Sequence, residues 1–306
     1  MITTLTGNNG FLLKAELRLL VAAFIKKHTE MAVERIDGEE SEYDRVRESL
    51  ESLPFLTDRK LVILRTPGAK KEFIDNIAKL LGELSDTIDI IIYEPKLDKR
   101  SVYYKFLKKA TNYKEFTELD MFGLSKWLVE QANQQGAKLE NRDAKYLVER
   151  IGLNQNMLAQ ELAKLVAYDP TISLQSINLL TEPTPHSTIF QLLDAAFESN
   201  IKQMLKIYKE QRASKIEPQQ IIAMLAWQFH ILAVIKTAGS QSDAQIASEA
   251  KLSPFVVGKS RQIARSLSLQ HIKTLVHKLA QLDLQLKTTS VNADDGVQAF
   301  LLSIAV

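Results

Sequence analysis

The chain has 306 residues, 45% of them hydrophobic and 25% charged, and it contains no cysteine. That length exceeds the about 100 to 200 residues of a usual single domain, and the composition excludes collagen-like, low-complexity and disordered classes, so two or three packed domains are expected. The missing thiols remove disulfides, thiolate zinc sites and cysteine nucleophiles. The 39 basic and 37 acidic residues leave a formal net charge of +2, too small for nucleic-acid binding by charge alone.

The N-terminus has no basic region followed by an apolar run, and Ile2 to Leu5 reads as a first strand. The longest apolar stretch, Ile221 to Ile235, is interrupted by Gln228 and His230 and falls short of the about 20 residues of a membrane span. A cytoplasmic protein with no membrane partner is the expectation.

Residues 1 to 120 alternate short β-type runs with helical patterns, as a parallel α/β sheet does. After the first strand, the turn Gly7-Asn8-Asn9-Gly10 leads into a helix to His28, marked by Phe11, Leu12, Ala15, Leu19, Ala22 and Ala23. Met31 to Ile36 predicts a second strand, and residues 39 to 53 an amphipathic helix with Tyr43, Val46, Leu50 and Leu53 on its apolar stripe. Lys60 to Arg65 is a third strand, Lys71 to Leu84 a helix, and Ile88 to Tyr93 (Ile-Asp-Ile-Ile-Ile-Tyr) a strand whose β-branched continuity implies cover on both faces. Tyr113 to Phe116 closes the sheet.

After Leu119 every element is predicted helical. Residues 121 to 135 form one helix, Asn141 and Asn154 are read as N-caps of two more ending at Ile151 and Tyr168, and 173 to 180 completes a small bundle. The prolines of Glu182-Pro183-Thr184-Pro185 mark a linker. Residues 186 to 306 are then long helices, with Pro218 in the first turn of one that is apolar nearly all round and ends at Gly239; Ser253-Pro254 and Leu269 start two others, and Asp294 to Ile304 is the last. Basic residues exceed acidic ones only in this third part, 13 against 9.

The first glycine turn stands where a phosphate-binding loop would stand. That loop needs a lysine and a hydroxyl in register, whereas Phe11 and Leu12 follow Gly10 here and Lys14 precedes Ala15. No acidic pair ends a strand to hold magnesium: the third strand ends in Arg65-Thr66 and the fourth in Tyr93-Glu94, with Glu94 read as a solvated loop residue. The five histidines are scattered, and His271 and His277 are six apart, off the spacing that shares a helix face. With no Gly-x-Ser-x-Gly elbow either, no catalytic residue, cofactor or metal is expected.

Ser52-Leu53-Pro54-Phe55-Leu56-Thr57-Asp58-Arg59-Lys60 is the most unusual local pattern. Pro54 stops the preceding helix, so Leu53, Phe55 and Leu56 are presented within one turn beside a charged run. Such a knob suits a hydrophobic pocket on a partner, and equally a tuck beneath the chain's own sheet. Periodicity does not choose between the two.

These segments, Leu5 to Leu12 and Ser52 to Val62, together with Ile221 to Lys236, Ser253 to Lys259 and Leu282 to Lys287, resemble the delta subunit family of the bacterial DNA polymerase III clamp loader over the whole chain. The resemblance implies an AAA+-like α/β domain with a degenerate phosphate loop over 1–120, a small helical domain over 121–185 and a helical collar for oligomerisation over 186–306. It implies a non-ATPase subunit of a polymerase complex that binds the sliding clamp (beta) through Leu53, Pro54, Phe55 and Leu56 and opens its ring for loading onto primed DNA. Its other partners would be the tau/gamma and delta prime subunits, through the collar. Clamp-binding peptides of that family often begin with Gln; Leu50 and Glu51 precede the knob here.

Two other functions fit the same architecture. An active ATPase with a divergent loop would need Lys14 to reach a phosphate and Glu94 or Asp98 to hold magnesium. A nucleic-acid adaptor would use Lys259, Arg261 and Arg265 of the collar, of which Arg261 and Arg265 share a helix face.

Overall fold

The computed structural model describes residues 1–54 and 57–305, and the chain forms two compact units, Met1–Leu119 and Asp120–Val306. The first unit runs β1 (Ile2–Thr6), α1 (Gly10–Lys27), β2 (Val33–Asp37), α2 (Tyr43–Glu51), β3 (Lys60–Arg65), α3 (Lys71–Gly82), β4 (Ile88–Glu94), α4 (Val102–Ala110) and β5 (Asn112–Glu115). The strands form one parallel sheet in the order β2-β3-β4-β1-β5.

Because side chains alternate along a strand, β3 and β4 supply two cores. Val62, Leu64, Ile88, Ile90 and Ile92 pack with Val46 and Leu50 of α2, Phe73 and Ile77 of α3 and Leu107 of α4. Leu61, Ile63, Ile91 and Tyr93 face the other way with Leu5, Leu13 and Phe24, and among the described residues α1 is the one α-helix in that core. Every residue of β4 is buried, Asp89 and Glu94 included, and its other five residues are apolar or aromatic as a strand covered on both faces requires.

Several boundaries differ from the sequence reading. The second strand starts at Val33, because Glu30–Ala32 winds into a 3-10 turn that leaves Met31 exposed. The helix expected over 39 to 53 spans only Tyr43–Glu51, since residues 38–41 form a turn closed by the Ser41 N–H on the Asp37 carbonyl. α4 has no counterpart in the sequence reading; it buries only Tyr103 and Leu107, and its lysines mask the apolar period.

The second unit begins with α5 (Met121–Gln134), α6 (Asn141–Ile151), α7 (Gln155–Tyr168) and α8 (Leu174–Leu180). It is not purely helical as expected: β6 (Lys138–Leu139) pairs in parallel with β7 (Thr171–Ile172), burying Leu139 and Ile172. Strands of two residues are too short to show a period in sequence. Asn154 caps α7 through its side chain as predicted, but Asn141 is the first residue of α6 and Glu140 stands at the cap position.

α9 (Pro185–Phe197), α10 (Ile201–Ala213), α11 (Pro218–Thr237), α12 (Asp243–Ala250), α13 (Pro254–Ser266), α14 (Leu269–Thr288) and α15 (Ala293–Leu302) follow. α11 is long and apolar enough by length and composition alone to cross a membrane. Its Ile221, Leu225, Phe229 and Leu232 are instead fully buried among residues of α9, α10, α13, α14 and α15, and a stripe of Ala223, Ala226 and His230 is exposed.

Candidate functional site

The turn between β1 and α1 is closed by its own side chains. Gly7 takes φ +120°, and a Cβ there would lie 1.9 Å from the Phe116 carbonyl oxygen, so only glycine fits. Asn9 is buried; its Oδ1 accepts the Leu12 N–H at 3.0 Å, its own N–H donates to the Phe116 carbonyl at 3.1 Å, and its Nδ2 donates to the Thr117 carbonyl at 3.3 Å. Asn8 Oδ1 accepts the Glu118 N–H at 2.9 Å. Gly10 opens α1. A phosphate cradle aims free helix N–H groups outward, whereas here Asn9 caps the helix from inside.

Glu94 corrects the sequence reading: it ends β4, is 5% exposed, and accepts the Gly68 N–H at 2.6 Å and the Tyr103 hydroxyl at 3.2 Å. Burial pushes its carboxyl above the usual range, and the two hydrogen bonds offset this only in part. Sequence places Glu94 beside a loop; the packing of Gly68 and Tyr103 over the strand end makes it part of the core. Asp98 stays at the surface, its Oδ1 accepting the Arg100 N–H at 2.9 Å. Lys14 is also exposed. Among the described residues no three His, Asp or Glu side chains cluster so as to hold a metal ion.

Leu53 and Pro54 follow the end of α2, and Leu53 is 69% exposed. Phe55 and Leu56 lie outside the described residues. The flanks of the segment are firmly held. On one side Lys60 Nζ donates to the Ser49 carbonyl (2.8 Å) and to Ser52 Oγ (2.9 Å) and pairs with Glu34 at 2.8 Å, while Arg45 and Ser49 also donate to Glu34. On the other, Arg59 donates to both oxygens of Asp89, at 3.2 and 2.8 Å, and the N-terminal ammonium bonds Asp89 too. Burial alone would raise both carboxylates, yet Lys60 and Ser49 at Glu34, and Arg59 and the N-terminus at Asp89, hold them below the ordinary range. Sequence reasoning singled out this segment as a candidate contact and missed these clamps. The signal for them was the charged run Asp58-Arg59-Lys60, but its partners are 26 and 30 residues away.

The three collar cations have different surroundings. Lys259 is half-buried, its Nζ 4.8 Å from the centre of the Phe190 ring, and burial pulls its ammonium below the ordinary lysine range despite Asp194 and Glu149 nearby. Arg261 donates to Asp243 and to the Gln241 carbonyl, tying α13 to the start of α12. Arg265 is exposed.

Comparison with known proteins bears on the whole chain. The family model for the DNA polymerase III delta subunit matches residues 4–117, and the model for the C-terminal domain of that subunit matches residues 186–304. The DNA polymerase III subunit delta of Bacillus subtilis is 26% identical over 318 residues, covering 98% of this chain and 91% of that protein. The solved Bacillus subtilis DNA clamp loader delta protein superposes with a TM-score of 0.79 at 23% identity, over 99% of this chain and 95% of that one, so the α/β-plus-helical fold is shared. The chain therefore belongs to the DNA polymerase III delta subunit family.

Proposed function

We propose that the chain binds the sliding clamp through Leu53-Pro54-Phe55-Leu56 and favours the open form of the ring, so that the clamp can be loaded onto primed DNA in the cytoplasm. The observation that carries this reading is Leu53, a large apolar side chain left 69% exposed at a helix end whose two flanks are pinned by Lys60 and Arg59. Held flanks lower the conformational freedom that a short segment between them loses on docking, which favours affinity. Opening then needs no chemistry: a ligand shifts a conformational equilibrium by its differential affinity for the two states, and the knob would bind the sprung interface better than the closed one.

In this reading residues 1–120 act as an AAA+-like module that contacts the clamp, 121–185 form a small helical domain, and 186–306 are the collar that meets the tau/gamma and delta prime subunits. A weak, salt-sensitive DNA contact within the complex would fall mainly to Arg265, since Lys259 and Arg261 are already engaged. The self-capped Asn9 turn and the buried Glu94 accord with a subunit that works by binding rather than by ATP hydrolysis. Titration of Phe55→Ala against the purified clamp tests the assignment: affinity should fall by about 2 kcal/mol or more, the scale of an interfacial hot spot. An unchanged affinity would remove the knob from the interface.

A further inference from the structure

We propose that a groove on the α1 face of the sheet, floored by Leu17, Val21 and Ile63 and rimmed by Arg18, Arg35 and Arg65, docks an acidic segment of a partner protein that carries large apolar side chains. Val33, Arg35 and Asp37 of β2 and Leu61, Ile63 and Arg65 of β3 alternate onto the face that α1 covers. β2 is the sheet edge, and between it and α1 a cleft of about 480 Å³ stays open, within the usual size of binding pockets.

The charge around the cleft is one-sided. Arg18, Arg35 and Arg65 are exposed, and among the described residues none of them forms an ion pair, whereas Arg45, Arg59, Arg212 and Arg261 each pair with a carboxylate. Arg18 Nε donates to the Lys14 carbonyl at 3.3 Å, and the Arg65 guanidinium lies 5.6 Å from the centre of the Tyr93 ring. Asp37 is the one acid in the lining, and its Oδ1 accepts the Glu39 N–H at 3.0 Å.

Guanidinium forks match carboxylates bidentately, and an aliphatic floor takes leucine or phenylalanine side chains. Nucleic acid fits less well, because single-stranded bases need an aromatic platform and no aromatic side chain is among the described lining residues. The groove lies on the opposite face of the sheet from α2, which leads into Leu53, so a clamp and this second partner could be held at once.

Fluorescence polarisation with the full chain tests this, using short fluorescein-labelled peptides in which Asp and Glu flank two Leu and one Phe. The controls carry Lys for the acids or Ser for the apolar residues, and an oligothymidine strand of similar length is the nucleic-acid probe. The expected result is saturable binding of the acidic apolar peptide that is about tenfold weaker in Arg18→Glu/Arg35→Glu/Arg65→Glu, since each exposed pair contributes a few-fold and three are reversed. The Leu53→Ala variant should bind the peptide like the unaltered chain, which separates this site from the clamp contact. Equal binding to the triple variant, equal binding of the Ser control, preference for oligothymidine, or no saturable binding of the acidic apolar peptide would each overturn the proposal. Circular dichroism of the triple variant confirms that three exposed substitutions leave the fold intact.

Discussion

Leu53→Ala separates the proposed clamp contact from folding. Leu53 is 69% exposed, so about two-thirds of its apolar surface contributes nothing to the isolated chain. Complete burial of a leucine side chain stabilises by about 1.5 to 3 kcal/mol, so the truncation should cost the free protein less than about 1 kcal/mol. If the clamp covers the exposed share, the same truncation should cost the complex about 1 to 2 kcal/mol, roughly 5- to 30-fold in Kd. Calorimetric titration against the purified clamp reads the second quantity and a chemical denaturation curve the first. The reasoning fails if Kd is unchanged, or if stability falls as much as affinity, for then Leu53 would be packing within its own domain.

Other substitutions test the architecture. Gly7→Ala forces a Cβ into the Phe116 carbonyl at a positive φ and should destabilise the first unit by roughly 3 kcal/mol or more, visible as a lowered denaturation midpoint. Glu94→Gln keeps both acceptor contacts and removes the buried charge. Because burial raises the folded-state pKa of Glu94, wild-type stability from this group declines as pH climbs from the unfolded carboxylate value through the folded one. The variant should therefore melt higher than wild type at pH 8 and lose that advantage toward about pH 4, the unfolded range; a constant difference across pH would contradict the buried-carboxylate account. Calorimetry with ATP and magnesium should register no binding, since Asn9 Oδ1 already occupies the Leu12 N–H at the start of α1.

The parallel sheet was legible in sequence because its strands are short apolar runs separated by helical periods. β3 has the predicted bounds, and β4 runs one residue further. Caps that act locally were legible too, as at Asn154, Pro218 and Ser253. What escaped depends on residues distant in the chain. Glu94 reads as solvated until Gly68 and Tyr103 are folded over it, and Lys259 and Arg261 read as a basic surface until Phe190 and Asp243 are placed beside them. Helical spacing tells which side chains share a face and is silent about what stands opposite. The candidate contact segment was found for the converse reason: a proline stop followed by large apolar residues is a local anomaly, whereas the Lys60–Glu34 and Arg59–Asp89 pairs that brace it are not local.

The charges on β2 have a further consequence. As an edge strand it exposes one row of backbone N–H and carbonyl groups, which invites another chain to add a strand and seed aggregation. Its sequence Val33-Glu34-Arg35-Ile36-Asp37 carries three charged residue types on that strand, and the opposite edge, β5, is only four residues long with Lys114 and Glu115 engaged by Glu16 and Lys99. Both borders of the sheet thus discourage intermolecular templating. For a subunit of the DNA polymerase III complex, this keeps association confined to side-chain surfaces and away from runaway strand exchange.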